Sequence, residues 1–240
     1  MSGIRPIFKK ELSSYLNSPI AMVISASFAL FCAIWFFYVD GFFAKNLASL
    51  RSYFAIMPFA LSILLPALTM RMWAEERRMG TQELLLTLPV GEWQLVLGKY
   101  LASLAVFGFM ALCTVFVPIA VSGYGSFDAG QIFGEYLGLC LFGASALAIG
   151  QFISALSRNQ ISAFLGCAGI LLALSLLDRA LRVIDFPEPL ASLFAWFSLG
   201  FHFEGFARGL IDTRDAAYFA SIAALCLLLT TRSLTERKWK

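Results

Sequence analysis

An all-α integral membrane protein with six transmembrane helices is the fold class this sequence predicts, and three observations predict it. Hydrophobic residues make up 60% of the 240-residue chain and charged residues 14%, against about 45–50% and about 25% in soluble globular domains. Six apolar runs approach the roughly 20 residues that carry a helix across a bilayer. The basic residues collect at the ends of those runs, as topology signals do. The net charge of +3 therefore does not argue for a nucleic-acid partner.

The first element lies before any span. Residues 4–16 place Ile4, Phe8, Leu12, Tyr15 and Leu16 on one helical face and Arg5, Lys9 and Lys10 elsewhere on the wheel. That pattern predicts an interfacial helix within residues 1–18, its basic residues toward headgroups. Asn17-Ser18-Pro19 ends it, since proline cannot continue a helix but can open the next one. The spans are then expected at 20–39, 53–70, 95–121, 132–156, 161–177 and 216–231. Pro58 and Pro66 fall inside the second, where neighbours or water can satisfy the freed carbonyls. Glu135 begins the fourth span and is read as snorkelling to the outer face. The connection 178–215 is long and semi-apolar, and its stretch "PLASLFAWFSLGF" is too short to cross a bilayer. Short external re-entrant or interfacial helices fit it better than a seventh span. The whole of 1–240 reads as one transmembrane domain.

Orientation follows from the positive charges. Arg5, Lys9 and Lys10, then Arg71, Arg77, Arg78 and Lys99, then Arg158, then Arg232, Arg237, Lys238 and Lys240 share one side. These are twelve of the 18 basic residues, and the loop 122–131 on the other side has none. Both termini are expected in the cytoplasm.

The stretch "AEERRMGTQELLLTLPV", residues 74–90, breaks the apolar pattern. Gly80 is expected to end the helix leaving the second span. Thr81 can cap a new one, its hydroxyl accepting an early backbone N–H. Glu83 stands in the first turn, where the helix dipole favours an anion. Leu84, Leu85 and Leu88 share a face, and Pro89 stops the helix. A short helix with an apolar stripe and the charged lead-in Glu75-Glu76-Arg77-Arg78 has no large soluble part of its own chain to pack on. From the residues alone it reads either as a docking element for a partner or as a plain connector carrying positive-inside arginines.

The segment "RMWAEERRMGTQELLLTLPVGEWQLVLGKYLA" resembles the core of ABC-2 type transporter permeases, in the branch related to the gliding-motility permease GldF. The likeness extends to "NSPIA" at the start of the first span and to "GFARGLIDTRDAAYF" and "LLLTTRSLTERKW" near the C-terminal end. The resemblance implies that residues 74–90 are a coupling helix seated in a cytoplasmic ABC ATPase subunit. Glu75, Glu76, Arg77, Arg78, Gly80, Thr81, Glu83 and Leu84 would then be the ATPase contacts. It also implies a connecting helix at the N-terminus, a second permease copy or related permease-like subunit as partner, and external re-entrant helices at 178–215. The function implied is that of an export permease in the bacterial inner membrane. The alternative is a non-transporting membrane subunit that transmits ATPase motion to an extracytoplasmic assembly or auxiliary subunit.

Other chemistries find little support. A phosphate loop needs GxxxxGK[ST], and around Gly98-Lys99 position 93 is Trp and position 100 is Tyr. ATP and Mg are therefore expected on the partner ATPase, with no cofactor in this chain and no enzyme activity of its own. Cys32, Cys113, Cys140, Cys167 and Cys226 lie far apart in apolar runs and read as packers, not metal ligands. His202, the one histidine, lies beside Glu204, and with Arg208 these are candidates for an external gate. Few ionisable residues fall mid-span, which argues against an ion-coupled carrier.

Overall fold

The computed structural model describes residues 3–45, 49–87, 90–125, 127–183 and 194–238. Among these residues every regular element is a helix. Six stretches are long and apolar enough to cross a membrane: Pro19–Lys45, Arg51–Arg78, Glu92–Tyr124, Ala129–Leu156, Gln160–Leu181 and Thr213–Glu236. Each begins a little before its apolar run because polar cap residues lead into the first turn. Ser18 accepts from the Ile20 N–H and Asp128 from the Gly130 N–H, as helix caps do. Six crossings put the first helix and the end of the last on one side, here the proximal face; the other is the distal face.

Helix α1 (Ile4–Asn17) precedes α2 (Pro19–Ile34), which is extended by a π-helical turn, Trp35–Val39. After α3 (Phe42–Lys45), the second span is built from α4 (Arg51–Ala55), α5 (Met57–Thr69) and α6 (Ala74–Arg78). Pro58 falls in the first turn of α5 and Pro66 inside it, which removes one helical N–H donor. The same helix is held from outside: the Ser62 hydroxyl lies 2.7 Å from the Pro58 carbonyl and 2.8 Å from the Ser175 hydroxyl. Next come α7 (Thr81–Thr87), α8 (Glu92–Thr114), α9 (Phe116–Val121), α10 (Ala129–Leu156) and α11 (Gln160–Val183). A short α12 (Leu199–Ala207) sits at the distal face before α13 (Thr213–Lys238). Of the connection 178–215 expected to be re-entrant, residues 184–193 lie outside the described residues.

The bundle is organised around α10, and glycine explains how. A Cβ at Gly138 would stand 2.5 Å from that of Phe206 on α12. At Gly143 it would overlap the Phe107 ring of α8, and at Gly150 the Thr69 side chain of α5. Small residues let helices approach closely where burial of apolar area gives no advantage over lipid. Gly143→Ala is accordingly expected to destabilise by about 1–3 kcal/mol, the usual cost of overpacking. Gly108→Ala on α8, where a Cβ meets nothing within 4 Å, should change little; thermal unfolding of the two purified variants in detergent compares them.

Enclosure of α10 also corrects the reading of Glu135. The residue is 0% exposed and its Oε1 accepts from Gln131 Nε2 at 3.0 Å. Snorkelling is precluded because Gly134 and Gly138 on the same helix are covered by Gly209 and Phe206.

Candidate functional site: a locked elbow at the proximal face

Helix α6 carries Glu75, Glu76, Arg77 and Arg78, and Gly80 at φ +70° then turns the chain into α7. That left-handed conformation suits glycine and closes the end of α6, with the Gly80 N–H donating to the Arg77 carbonyl at 3.3 Å. Thr81, the first residue of α7, also braces the turn. Its hydroxyl donates back to the Glu76 carbonyl at 3.3 Å, because the turn brings it over the carbonyls that a helix C-terminus leaves unpaired.

The base of this elbow is fixed to α10. The backbone N–H groups of Trp73 and Ala74 donate to Ser154 Oγ at 3.1 and 3.3 Å, and the Ser154 hydroxyl donates to the Met70 carbonyl at 3.2 Å. Arg77 Nη1 donates to the carbonyls of Leu156 and Ser157 at 3.1 and 3.3 Å. One hydroxyl thus ties the end of α5 to the start of α6, and one guanidinium holds the loop after α10.

A second lock joins α6 to α1 and α8 through Lys99. The charge pattern places Lys99 among loop residues; instead it is the eighth residue of α8 and 2% exposed. Its Nζ donates to Glu76 Oε1 at 2.8 Å and to Glu11 Oε1 at 3.0 Å, and lies 5.0 Å from the centre of the Trp73 ring. An ammonium has three donors, and two carboxylates and an aromatic face surround this one. Gly98 makes the meeting possible. A Cβ there would stand 2.6 Å from Ile7 Cγ2, so α1 lies directly on α8 and delivers Glu11. Nearby, the Tyr15 hydroxyl donates to the Leu68 carbonyl at 3.2 Å. Burial, reinforced by the neighbouring Glu11, pushes the Tyr15 phenol well above its ordinary pKa, so it remains a donor.

The tip is different. Arg78, Met79, Gly80 and Glu83 are exposed, Met79 at 62%, and Leu85 packs partly against the core. Glu75 reaches Arg71 at 3.9 Å. The contacts expected of the Leu84 and Leu88 side chains lie outside the described residues. Of the residues expected to meet an ATPase, then, Glu76 and Arg77 are engaged within the chain, Thr81 braces the turn, and Arg78, Gly80 and Glu83 face outward. Glu11, Trp73 and Lys99 were missed. A lone lysine inside an apolar run and a lone acid in a basic helix were their signals.

At the distal face His202, Glu204 and Arg208 do not form one cluster. His202 is 2% exposed; its Nδ1 lies 2.6 Å from Asp215 Oδ1, its Nε2 3.0 Å from the Trp196 carbonyl, and its ring stacks on Tyr218 at 3.8 Å. Positions two apart on a helix point to different faces, so Glu204 is not the partner of His202. Glu204 instead accepts from Arg208 at 2.6 Å, four residues on.

Five apolar helices and a sixth, glycine-lined one that organises them, with a charged helical elbow between the second and third spans, define a multi-pass membrane protein. The family model described as "ABC-2 family transporter protein" matches residues 38–231, and the chain belongs to that family. It is also 34% identical over 93 residues to the "Probable multidrug ABC transporter permease YbhR" of Escherichia coli K12, and equally to that of Escherichia coli O157:H7. The match covers 39% of this chain and 25% of the relative's length.

Proposed function

We propose that this chain is the membrane subunit of an exporter driven by a separate cytoplasmic ATPase, with residues 74–90 as its coupling element. The observation that most supports this is the contrast within the elbow. Its tip is open, while its base is bonded to α10 through Ser154 and Arg77 and to α1 and α8 through Lys99. A push on Glu83 or Arg78 would therefore reach three helices as a rigid displacement. A plain connector has no need of such a base. ATP and magnesium would be held by the partner, and a second copy or a related permease would complete the translocation path. The branch related to the gliding-motility permease remains our reading of the sequence blocks quoted above.

Affinity purification of the chain from its native membrane tests this. An ATPase with a phosphate loop should co-purify, and ATP turnover by the isolated permease at the rate of the complex would overturn the assignment. Orientation has its own test. A cysteine placed within 122–131 should react with a membrane-impermeant maleimide on intact cells, and a reporter fused after Lys240 should be cytoplasmic. Labelling confined to inverted vesicles would reverse the topology.

A further inference from the structure

At the distal face, between α4–α5, α11 and α12, lies a cavity of about 290 Å³ with walls of two kinds. Pro58, Phe59, Leu176 and Phe203 supply an apolar side, and Arg51 and Arg179 supply guanidinium groups. We infer that this cavity binds an oxyanion carried on an apolar body, a phosphate-bearing amphiphile.

The charges argue for it. The two carboxylates at the cavity are already engaged. Asp178 is 6% exposed and accepts from the Ser198 hydroxyl at 3.2 Å, and Glu204 accepts from Arg208 at 2.6 Å. Glu135, the carboxylate that acts on Arg51 through space, is 0% exposed and bonded to Gln131. Among the described residues neither the Arg51 nor the Arg179 side chain has a hydrogen bond or ion pair. Each presents a planar fork of donors matched to two oxygens of a phosphate. The volume argues for a headgroup-sized ligand, since sites for drug-sized molecules run to about 300–1,000 Å³. Position agrees. Arg51 opens the span Arg51–Arg78 and Arg179 stands near the end of Gln160–Leu181, which is headgroup depth in a bilayer. The site rests on this cavity alone and stands or falls independently of the ATPase assignment.

The test uses the full purified chain in mixed micelles with dioleoyl phosphatidylglycerol or dioleoyl phosphatidylcholine, and native mass spectrometry to count retained lipid. Phosphatidylglycerol should be retained in preference. Arg51→Gln and Arg179→Gln should each lower that retention about tenfold, as loss of a charge-assisted contact does, and should lower retention of phosphatidylcholine less, because its choline cation offsets the phosphate charge. Arg51→Lys keeps the charge but not the fork and should fall between. Arg214→Gln, an exposed charge outside the cavity, should leave the preference intact. Both cavity arginines are exposed, so an unchanged melting temperature is expected and separates binding loss from misfolding. Hexyl phosphate distinguishes the source of the same chemistry. Displacement of the lipid by hexyl phosphate supports the site and assigns it to soluble organic phosphates, and retention against it supports the site and assigns it to membrane lipid. No preference for phosphatidylglycerol, or an equal loss in Arg214→Gln, overturns the proposal.

Discussion

Lys99→Met is expected to destabilise the protein by about 3–5 kcal/mol, the cost of removing one member of a buried ionic cluster. Methionine fills nearly the same volume, so the loss comes from charge and not from a cavity. Glu76 and Glu11 would be left with no cation within bonding distance in a place where their side chains are only 14% and 16% exposed. The effect should be strongly non-additive. Adding Glu76→Gln and Glu11→Gln to Lys99→Met removes the stranded charges and should recover most of the loss, because a neutral replacement of a whole buried ionic set is often near neutral. Thermal unfolding in detergent measures both steps. Limited proteolysis provides a local readout: in the single variant α1 loses its tie to α8 and should be cut earlier than the spans. If Lys99→Met melts with the parent protein, Lys99 is not a lock and the rigid base of the elbow is lost as an argument.

That lock shows where sequence reading stops. The six spans were legible because crossing a bilayer imposes a length and a composition that nothing else in the chain imitates. The N-terminal helix was legible from its face pattern, and the turn at Gly80 from a glycine between two charged helices. The partner of Lys99 was not. Glu11 and Glu76 lie 88 and 23 residues away from it, and their meeting depends on α1 packing across Gly98, a tertiary register that no local period encodes. Glu135 misled for a related reason. A carboxylate at a span end is expected to reach water, because charge inside the bilayer is expensive, and only the covering of α10 by α12 and Gly209 removes that exit. His202 takes its carboxylate from Asp215 on α13, a partner that adjacency along the chain does not reveal.

Substitutions at the open tip of the elbow are expected to separate insertion from coupling. Glu83→Arg reverses an exposed charge in the first turn of α7. If that carboxylate pairs with a cation in the partner's cleft, its loss should cost about 2–5 kcal/mol of binding, as for one half of a desolvated charge pair. Leu84→Ala removes part of the apolar stripe and should cost about 2–5 kcal/mol if that side chain is buried in the partner. Gly80→Pro acts through the backbone. Proline fixes φ near −65°, whereas this turn requires +70°, and it deletes the N–H that bonds the Arg77 carbonyl. A substituted Cβ at Gly80 meets nothing within 4 Å, so Gly80→Ala isolates the conformational cost and should be milder than Gly80→Pro. None of these residues lies within the apolar core of a span, so all four variants should reach the membrane in ordinary amount. Retention of the co-purified ATPase and stimulation of its turnover are the quantities to measure. A tenfold or greater loss of either, with membrane level unchanged, is the expected result for Glu83→Arg, Leu84→Ala and Gly80→Pro. Full retention and full stimulation in all three would reduce residues 74–90 to a topology signal, because a connector that no partner grips tolerates a reversed charge, a shortened side chain and a broken turn alike.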